Sequence, residues 1–272
     1  NTNAATAQRA IGIASTLAAG LKYSFGTMCK PLHAGWANRT GLMAARYAVR
    51  GMTAREDMLD APFGFAHVLS RDYQVDRAYA RPRAGWHIRD NLFKYNACCY
   101  NTHASIAAAR EIARLGQLTP DGIGNVVVQV NRVLDTVCNI QQPKTGLETK
   151  FSLRHTIALA LCGMDTANIE TFSDANAVRP DLIALREKVS VEWIEDHDMF
   201  ARVIVERQDG ERFEATGDTS VPNDDLDDQE LRLSEKFAAL VTPIWGTDST
   251  NGLIAAVSQI ETLHCVEALL AP

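Results

Sequence analysis

The chain has 272 residues, of which 46% are hydrophobic, and its formal net charge is −6 at neutral pH. This length allows one large or two modest domains, and the mildly acidic balance gives no electrostatic footprint for nucleic acid or an anionic membrane. The sequence has no apolar run long enough for a membrane span and no recognisable signal peptide. The six scattered cysteines contain no CxxC pair and favour a reducing compartment, the cytoplasm or, in a eukaryotic source, the mitochondrion.

Two alanine-rich helices are predicted near the start of the chain. Closely spaced small apolar residues predict the first over 5–19 and the second over 34–50. Between them, residues 22–33 contain glycine and proline and are predicted to be irregular. Thr53, with Glu56 three residues later, has the pattern of a capping box, which predicts a further helix start.

The middle of the chain mixes helical and extended patterns. An aromatic, irregular stretch over 61–93 precedes a strong helical pattern over 102–115 that a glycine ends. Beyond it, runs of β-branched residues predict strands, and the Asp209-Gly210 pair predicts a hairpin turn between the last two. The predicted strands cover 126–131, 188–194, 199–207 and 211–216, and a further helix covers 150–162.

The last part is predicted to be helical again, over 228–241 and 250–270, after an acidic and polar connector. Helices are thus followed by mixed α and β structure and then by helices, which predicts a mainly α fold with an α+β insert. We therefore predict one all-helical domain made of residues 1–90 and 226–272, interrupted by a smaller α+β domain over 91–225.

Three segments resemble the MmgE/PrpD family in their residues, order and spacing. They are Phe-Gly-Thr-Met-Cys-Lys-Pro-Leu-His-Ala-Gly over 25–35, Lys-Tyr-Asn-Ala-Cys-Cys-Tyr-Asn-Thr-His over 94–103 and Gly-Leu-Glu-Thr-Lys-Phe-Ser-Leu over 146–153. The first motif is quite specific, and with the closing helices the likeness covers essentially the whole chain. This family includes 2-methylcitrate dehydratases, cis-aconitate decarboxylases and iminodisuccinate epimerases.

The resemblance implies a cofactor-independent lyase or isomerase that acts on small di- or tricarboxylates. It also implies an all-helical domain with a smaller α+β lid, usually in a homodimer. The isolated histidines and the lack of nucleotide-binding patterns agree with a protein that uses no metal or cofactor. Family members carry a further stretch in front that nothing here matches, so we expect this chain to lack the family's N-terminal part.

Lys30 and His33 are the first candidate site residues. From spacing alone they fit a surface lysine and a histidine at the start of a helix, or a cation and an imidazole that a loop presents to a cleft. The resemblance implies that Lys30 binds a substrate carboxylate and stabilises the enolate-like charge beside it. It implies that His33 moves a proton.

Four more residues come from the second and third motifs. The resemblance implies that Lys94 and His103 bind the substrate, although His103 could equally cap or pack a helix. Cys99 stands where some members carry a pocket histidine, and it could line the pocket, act as a thiolate base or be an inert buried thiol. His155 stands where members often have tyrosine, and it is either a proton donor or a packed helix residue.

Together with the resemblance, these residues imply a carboxylate-binding lyase. Lys30 and Lys94 would hold a di- or tricarboxylate between the helical domain and the lid while a proton moves at the carbon beside a carboxylate. Dehydration, decarboxylation and epimerisation share that carbanion-like state, and a 2-methylcitrate dehydratase-like reaction is our default. The alternatives are an incomplete or non-catalytic family member, one subunit of a split enzyme completed by an N-terminal chain, and a binding module without turnover.

Overall fold

The chain divides into two units, Asn1–Ile88 and Arg89–Pro272, in a computed structural model of the protein. The described elements are mainly helical with one small mixed sheet, which agrees with the predicted fold class. The predicted division into residues 1–90 with 226–272, and 91–225 as a separate lid, stays a prediction. The structure describes residues 3–81, 85–116, 118–265 and 269.

Two packed helices, α1 (Ala4–Thr16) and α2 (Cys29–Val49), form the centre of the first unit. Their buried contact consists of Ile13, Ala44 and Ala48, each at most 2% exposed. Small side chains at such a contact let two helices approach closely. Two short helices follow within the stretch predicted to be irregular, α3 (Phe65–Leu69) and α4 (Val75–Ala78).

The second helix begins at Cys29, earlier than the predicted start at residue 34. Pro31 is tolerated there because the first turn of a helix needs no intrahelical N–H bond from that position. At the first residue of the helix, the Cys29 N–H donates to Thr27 Oγ1 at 3.3 Å. Lys30 and His33 therefore lie on the first turns of α2, and the prediction that an irregular loop carries them is wrong.

The helix start predicted at Thr53 is also wrong. Residues 56–60 form turns, and no helix begins before Phe65 in this part of the described chain. Pro62 disfavours helical backbone at the residue before it, which leaves about two turns for a helix starting at Thr53. A helix that short is marginal without tertiary packing, so the capping pattern alone does not produce one.

A four-stranded mixed sheet lies in the second unit. Its strands are β1 (Ile123–Asn131), β2 (Val189–Ile194), β3 (Phe200–Arg207) and β4 (Arg212–Asp218). They lie in the order β2-β1-β3-β4, with β1 parallel to β2 and the other two pairings antiparallel. Val126, Val128 and Val130 of β1 are fully buried, as alternation toward a core requires. All four predicted strands are thus confirmed, with shifted bounds.

Helices of the second unit pack on one another and on the sheet. They are α5 (His103–Gly116), α6 (Gly146–Thr149), α7 (Leu153–Leu161), α8 (Asp174–Ala177) and α9 (Pro180–Glu187). The helix α5 packs against β3, β4 and α7, and α7 packs against α9. The approach of β4 to α5 is so close that a Cβ on Gly217 would lie 2.1 Å from the carbonyl oxygen of Ala104.

A long helical segment, α10 (Leu226–Ser258), follows the sheet and changes direction at Gly246. Gly246 has a φ of 79°, which only glycine adopts without strain. The two helices predicted over 228–241 and 250–270 correspond to the two arms of this segment, but the second arm ends at Ser258 and only a 3-10 turn, Ile260–Thr262, follows. The prediction of helix beyond Ser258 is therefore wrong for the described residues up to 265, and residues 266–268 and 270 lie outside the described residues. None of the described helices combines the length and apolar character that a membrane crossing requires.

Candidate active site

Lys30 and His33 lie three residues apart at the start of α2, on one face of the helix. The preceding loop supports both side chains: the Lys30 ammonium lies 5.2 Å from the centre of the Phe25 ring, and His33 Nε2 lies 3.4 Å from Ser24 Oγ. The His33 ring also packs against Gly20, where a Cβ would come within 3.3 Å of it. Both side chains remain partly exposed.

The contact between Ser24 and His33 indicates which ring nitrogen carries the proton. The Ser24 hydroxyl has one hydrogen, and it donates that hydrogen to the Leu21 carbonyl oxygen at 2.7 Å. Ser24 Oγ therefore accepts from His33 Nε2, which assigns the proton of the neutral ring to Nε2. In that neutral ring, Nδ1 carries the free lone pair and is the nitrogen of His33 that can accept a proton.

In the second unit, the segment from Lys94 to His103 leads into α5. The Lys94 ammonium donates to the carbonyl oxygen of Cys98 at 3.2 Å. The Lys236 ammonium from α10 donates to the carbonyl oxygen of Lys94 itself. Further along, the Cys99 N–H donates to the Lys150 carbonyl oxygen at 2.9 Å. These bonds fix the backbone that carries Lys94, whose side chain remains exposed.

His103 begins α5 and is only 3% exposed. Burial, followed by the nearby charges of Lys94 and Lys236, lowers the pKa of His103 from 6.5 to about 3. A hydrogen bond with the Asn96 backbone acts in the opposite direction. Nε2 has no hydrogen-bond partner among the described residues, so the neutral ring bonds Asn96 through Nδ1 and the Nε2 lone pair accepts no hydrogen bond from them. His103 is thus a neutral imidazole among cations.

The two adjacent cysteines lie between Lys94 and His103, and both are buried. Cys98 Sγ lies 3.1 Å from Thr102 Oγ1, and burial raises the pKa of the Cys98 thiol to about 12. Cys98 is therefore a protonated structural thiol. Cys99 is 8% exposed, and its proposed roles as pocket wall or thiolate base stay predictions.

His155 lies inside the second unit, on α7, with no exposed surface. Neither ring nitrogen has a hydrogen-bond partner among the described residues. Burial, followed by the charges of Arg186 and Arg179, lowers the pKa of His155 from 6.5 to about 4. The ring is therefore neutral near pH 7, and its predicted role as a proton donor to the substrate stays a prediction.

An open pocket of about 270 Å³ lies beside this region of the second unit. It is lined by the aromatic ring of Tyr95, three cationic side chains and two carboxylates: Arg110, Arg232 and Lys236 with Asp165 and Glu235. The sequence analysis missed Arg110 and Lys236 because only tertiary packing brings α5 and α10 to the Lys94 segment. Their sole sequence signal is a cationic residue on a predicted helix, which is too common to single them out.

Sequence profiles of two domains match this chain. The profile of the MmgE/PrpD C-terminal domain matches residues 96–262, and that of the MmgE/PrpD N-terminal domain matches residues 1–78. The chain belongs to the MmgE/PrpD family. The second match assigns residues 1–78 to the N-terminal domain, so the expectation that this chain lacks the family's N-terminal part is wrong for those residues.

Curated relatives of this MmgE/PrpD chain include three cis-aconitate decarboxylases. The Aspergillus terreus protein is 26% identical over 225 residues, covering 74% of this chain and 46% of the relative. The human protein is 25% identical over 269 residues, covering 94% and 55%, and the mouse protein is 23% identical over 251 residues, covering 88% and 51%. The chain thus spans about half the length of the curated relatives it matches.

Family membership assigns no role to single residues, so the six predicted site residues of this MmgE/PrpD chain stay predictions. The structure brings Lys94 and His103 into one electrostatic environment and holds Lys30 with His33 on one helix face. Within the described ranges, no three His, Cys, Asp or Glu side chains group closely enough to hold a metal ion.

Proposed function

We propose that this chain is part of a lyase that cleaves a bond beside a carboxylate group of a small di- or tricarboxylate. The observation that carries the proposal is that each of the first two family motifs places a lysine ammonium with an imidazole. Lys30 accompanies His33 in the first unit, and Lys94 lies near His103 in the second. An ammonium binds a carboxylate, and an unprotonated imidazole nitrogen can accept a proton.

The chemistry requires an electron pair to remain on carbon beside a carboxylate. In decarboxylation the carbon–carbon bond breaks, CO₂ leaves and the carbon then takes up a proton. In dehydration a base removes the proton first, and the hydroxyl group leaves as water after protonation. In both reactions negative charge spreads into the neighbouring carboxylate, where an ammonium such as that of Lys30 stabilises it more strongly than in the substrate.

Decarboxylation of an unsaturated tricarboxylate such as cis-aconitate is the first reaction we propose, because the three relatives carry that activity in their names. A dehydration like that of 2-methylcitrate is the second, and the family motifs support it because both reactions share the carbanion-like state. Epimerisation of iminodisuccinate would use the same state without loss of a group.

An assay of the complete natural protein with cis-aconitate, 2-methylcitrate and iminodisuccinate tests this proposal. NMR of the reaction mixture distinguishes loss of CO₂, loss of water and inversion. We expect one substrate to be consumed, and we expect Lys94→Ala to slow its turnover while Lys144→Ala, at an exposed lysine, leaves it unchanged. A folded protein that turns over none of the three, and only binds them, would instead be a non-catalytic family member.

We also propose that the active form is a homodimer. Several large apolar side chains of the first unit are exposed, among them Leu32 at 59% and Met28 at 78%, and such surface is usually covered by another protein surface. Light scattering during size-exclusion chromatography tests this proposal, with a mass of two chains as the expected result. A monomer, or a complex with a different chain, would contradict it.

A further inference from the structure

Lys236 of α10 is a cation that the structure holds beside another cation. Its ammonium donates to the carbonyl oxygen of Lys94, and burial together with the charge of the Lys94 ammonium lowers the pKa of Lys236. The same two ammonium groups, with Arg110, also act on His103. Like charges repel each other, and a bound anion would relieve the repulsion.

Both ammonium groups have donors to spare. Each lysine ammonium has three N–H bonds, and the described structure uses one of them on Lys94, toward the Cys98 carbonyl oxygen, and one on Lys236. No ion pair to either group occurs among the described residues, although Glu235 and Asp165 line the adjoining pocket. Four N–H bonds are therefore available to a ligand, the number that one or two carboxylates can accept.

Arg232, one helical turn before Lys236, makes a useful contrast. It forms an ion pair with Asp228 at 3.4 Å, and its guanidinium stacks on the Tyr95 ring at 3.6 Å. Its charge and its planar face are thus both used within the protein. Lys236, by comparison, has a partly buried charge with only a carbonyl partner, which is the environment expected of a ligand-binding group rather than a structural one.

We propose that Lys236 is a further substrate-binding residue. Together with Lys94 it binds one carboxylate group of a polycarboxylate near His103, and Arg110 adds a further positive charge there. This inference rests on the proposed function for the identity of the ligand. A carboxylate bound between the two ammonium groups would accept charge-assisted hydrogen bonds from both. The second carboxylate-binding lysine would make the site selective for ligands with several carboxylates over those with one.

Binding of tricarballylate to the complete natural protein tests the inference, because this saturated tricarboxylate has no hydroxyl group to eliminate. By isothermal titration calorimetry we expect Lys236→Met to weaken binding about 10- to 100-fold, as loss of a charge-assisted hydrogen bond does. Lys236→Arg should restore most of the affinity. Arg212→Gln, which removes an exposed charge that is paired with Glu214, should leave it unchanged.

A second measurement uses the unmutated protein, so it does not depend on whether a variant folds. Tricarballylate should slow acetylation of the Lys236 amine several-fold, measured by mass spectrometry, and should leave acetylation of exposed Lys144 unchanged. Wild-type affinity in Lys236→Met, or no protection of Lys236, would overturn the inference even if the enzyme is active. Lysine-dependent binding without turnover of any substrate would instead refute the proposed function and leave this binding site standing, and no binding at all would refute both.

Discussion

The two units carry the same pair of residue types, a lysine and a histidine, in opposite environments. In the first unit His33 is partly exposed and has a hydroxyl partner in Ser24. In the second, His103 is 3% exposed, lies among cations and has a pKa lowered to about 3. The difference teaches that a motif supplies the chemical groups, whereas burial and neighbouring charge decide which of them can carry a proton. In His103, burial and the neighbouring cations both oppose protonation of the ring.

The largest effect that would sharpen this comparison is expected from Lys30. If the first unit supplies the charge that stabilises the carbanion-like state, Lys30→Ala should lower kcat/KM about 100- to 1000-fold, mainly through kcat, because that charge develops in the transition state. Steady-state kinetics of the complete enzyme measure it, with Lys22→Ala at an exposed lysine of the preceding loop as the control. Near-normal kinetics would remove Lys30 from the mechanism.

The second unit should be far less tolerant of added volume, which Gly217→Ala tests. A Cβ at this position of β4 would lie 2.1 Å from the Ala104 carbonyl oxygen at the start of α5, so strand and helix must separate. We expect the free energy of unfolding to fall by about 3 kcal/mol or more, measured by urea denaturation. An alanine variant as stable as the wild type would show that β4 and α5 are not packed as described.

The buried histidines predict a pH dependence that belongs to the second unit. The folded-state pKa of His155, about 4, lies below its unfolded value of 6.5, so the unfolded chain binds the proton more readily. The contribution of neutral His155 is therefore complete above pH 6.5 and is lost as the pH falls toward 4. That loss amounts to roughly 3 kcal/mol. His103 adds a loss of the same sign over a window that extends to about pH 3.

Replacing His155 by leucine measures how much of the acid sensitivity of folding comes from His155. The free energy of unfolding of His155→Leu, measured in urea at pH 7 and at pH 4.5, should change less between the two pH values than that of the wild type. His264→Gln, at an exposed histidine, controls for the loss of an imidazole. The same acid sensitivity in wild type and His155→Leu would show that the ring is not held neutral in the folded protein.

Much of the fold follows from local sequence, and the two wrong predictions in the first unit have different causes. The β-branched runs of 123–131 and 200–207 predict strands correctly because burial on one face gives a pattern with period two. The start of α2 is predicted too late because proline reads as a break, although Pro31 in a first turn is harmless. The Thr53 pattern fails for the opposite reason, since a local cap cannot replace packing.

The candidate site is less predictable than the fold. Family motifs indicate Lys30 and Lys94 as residues, but no local pattern indicates that His103 and His155 are buried or that Lys236 lies beside Lys94. Those facts depend on how α5, α7 and α10 pack, which couples positions more than a hundred residues apart. That packing decides the protonation states, so the sequence alone does not predict them.

The smallest expected effect is a gain in stability from replacing glycine by alanine in the first unit. It tests whether the surface of α2 is exposed to solvent or covered. Gly35 lies in the interior of α2, and a Cβ there would meet no described atom within 4 Å apart from its chain neighbours and the adjoining backbone of the helix itself, as at Gly41. Gly35→Ala should therefore raise the free energy of unfolding by about 0.5–1 kcal/mol, the usual difference between the two residues inside a helix. Thermal denaturation of both alanine variants measures it. If Gly41→Ala stabilises the protein while Gly35→Ala destabilises it or lowers activity, the surface of α2 at Gly35 is covered in the working protein. The contrast between an open first unit and a tightly packed second unit would then not hold at that position.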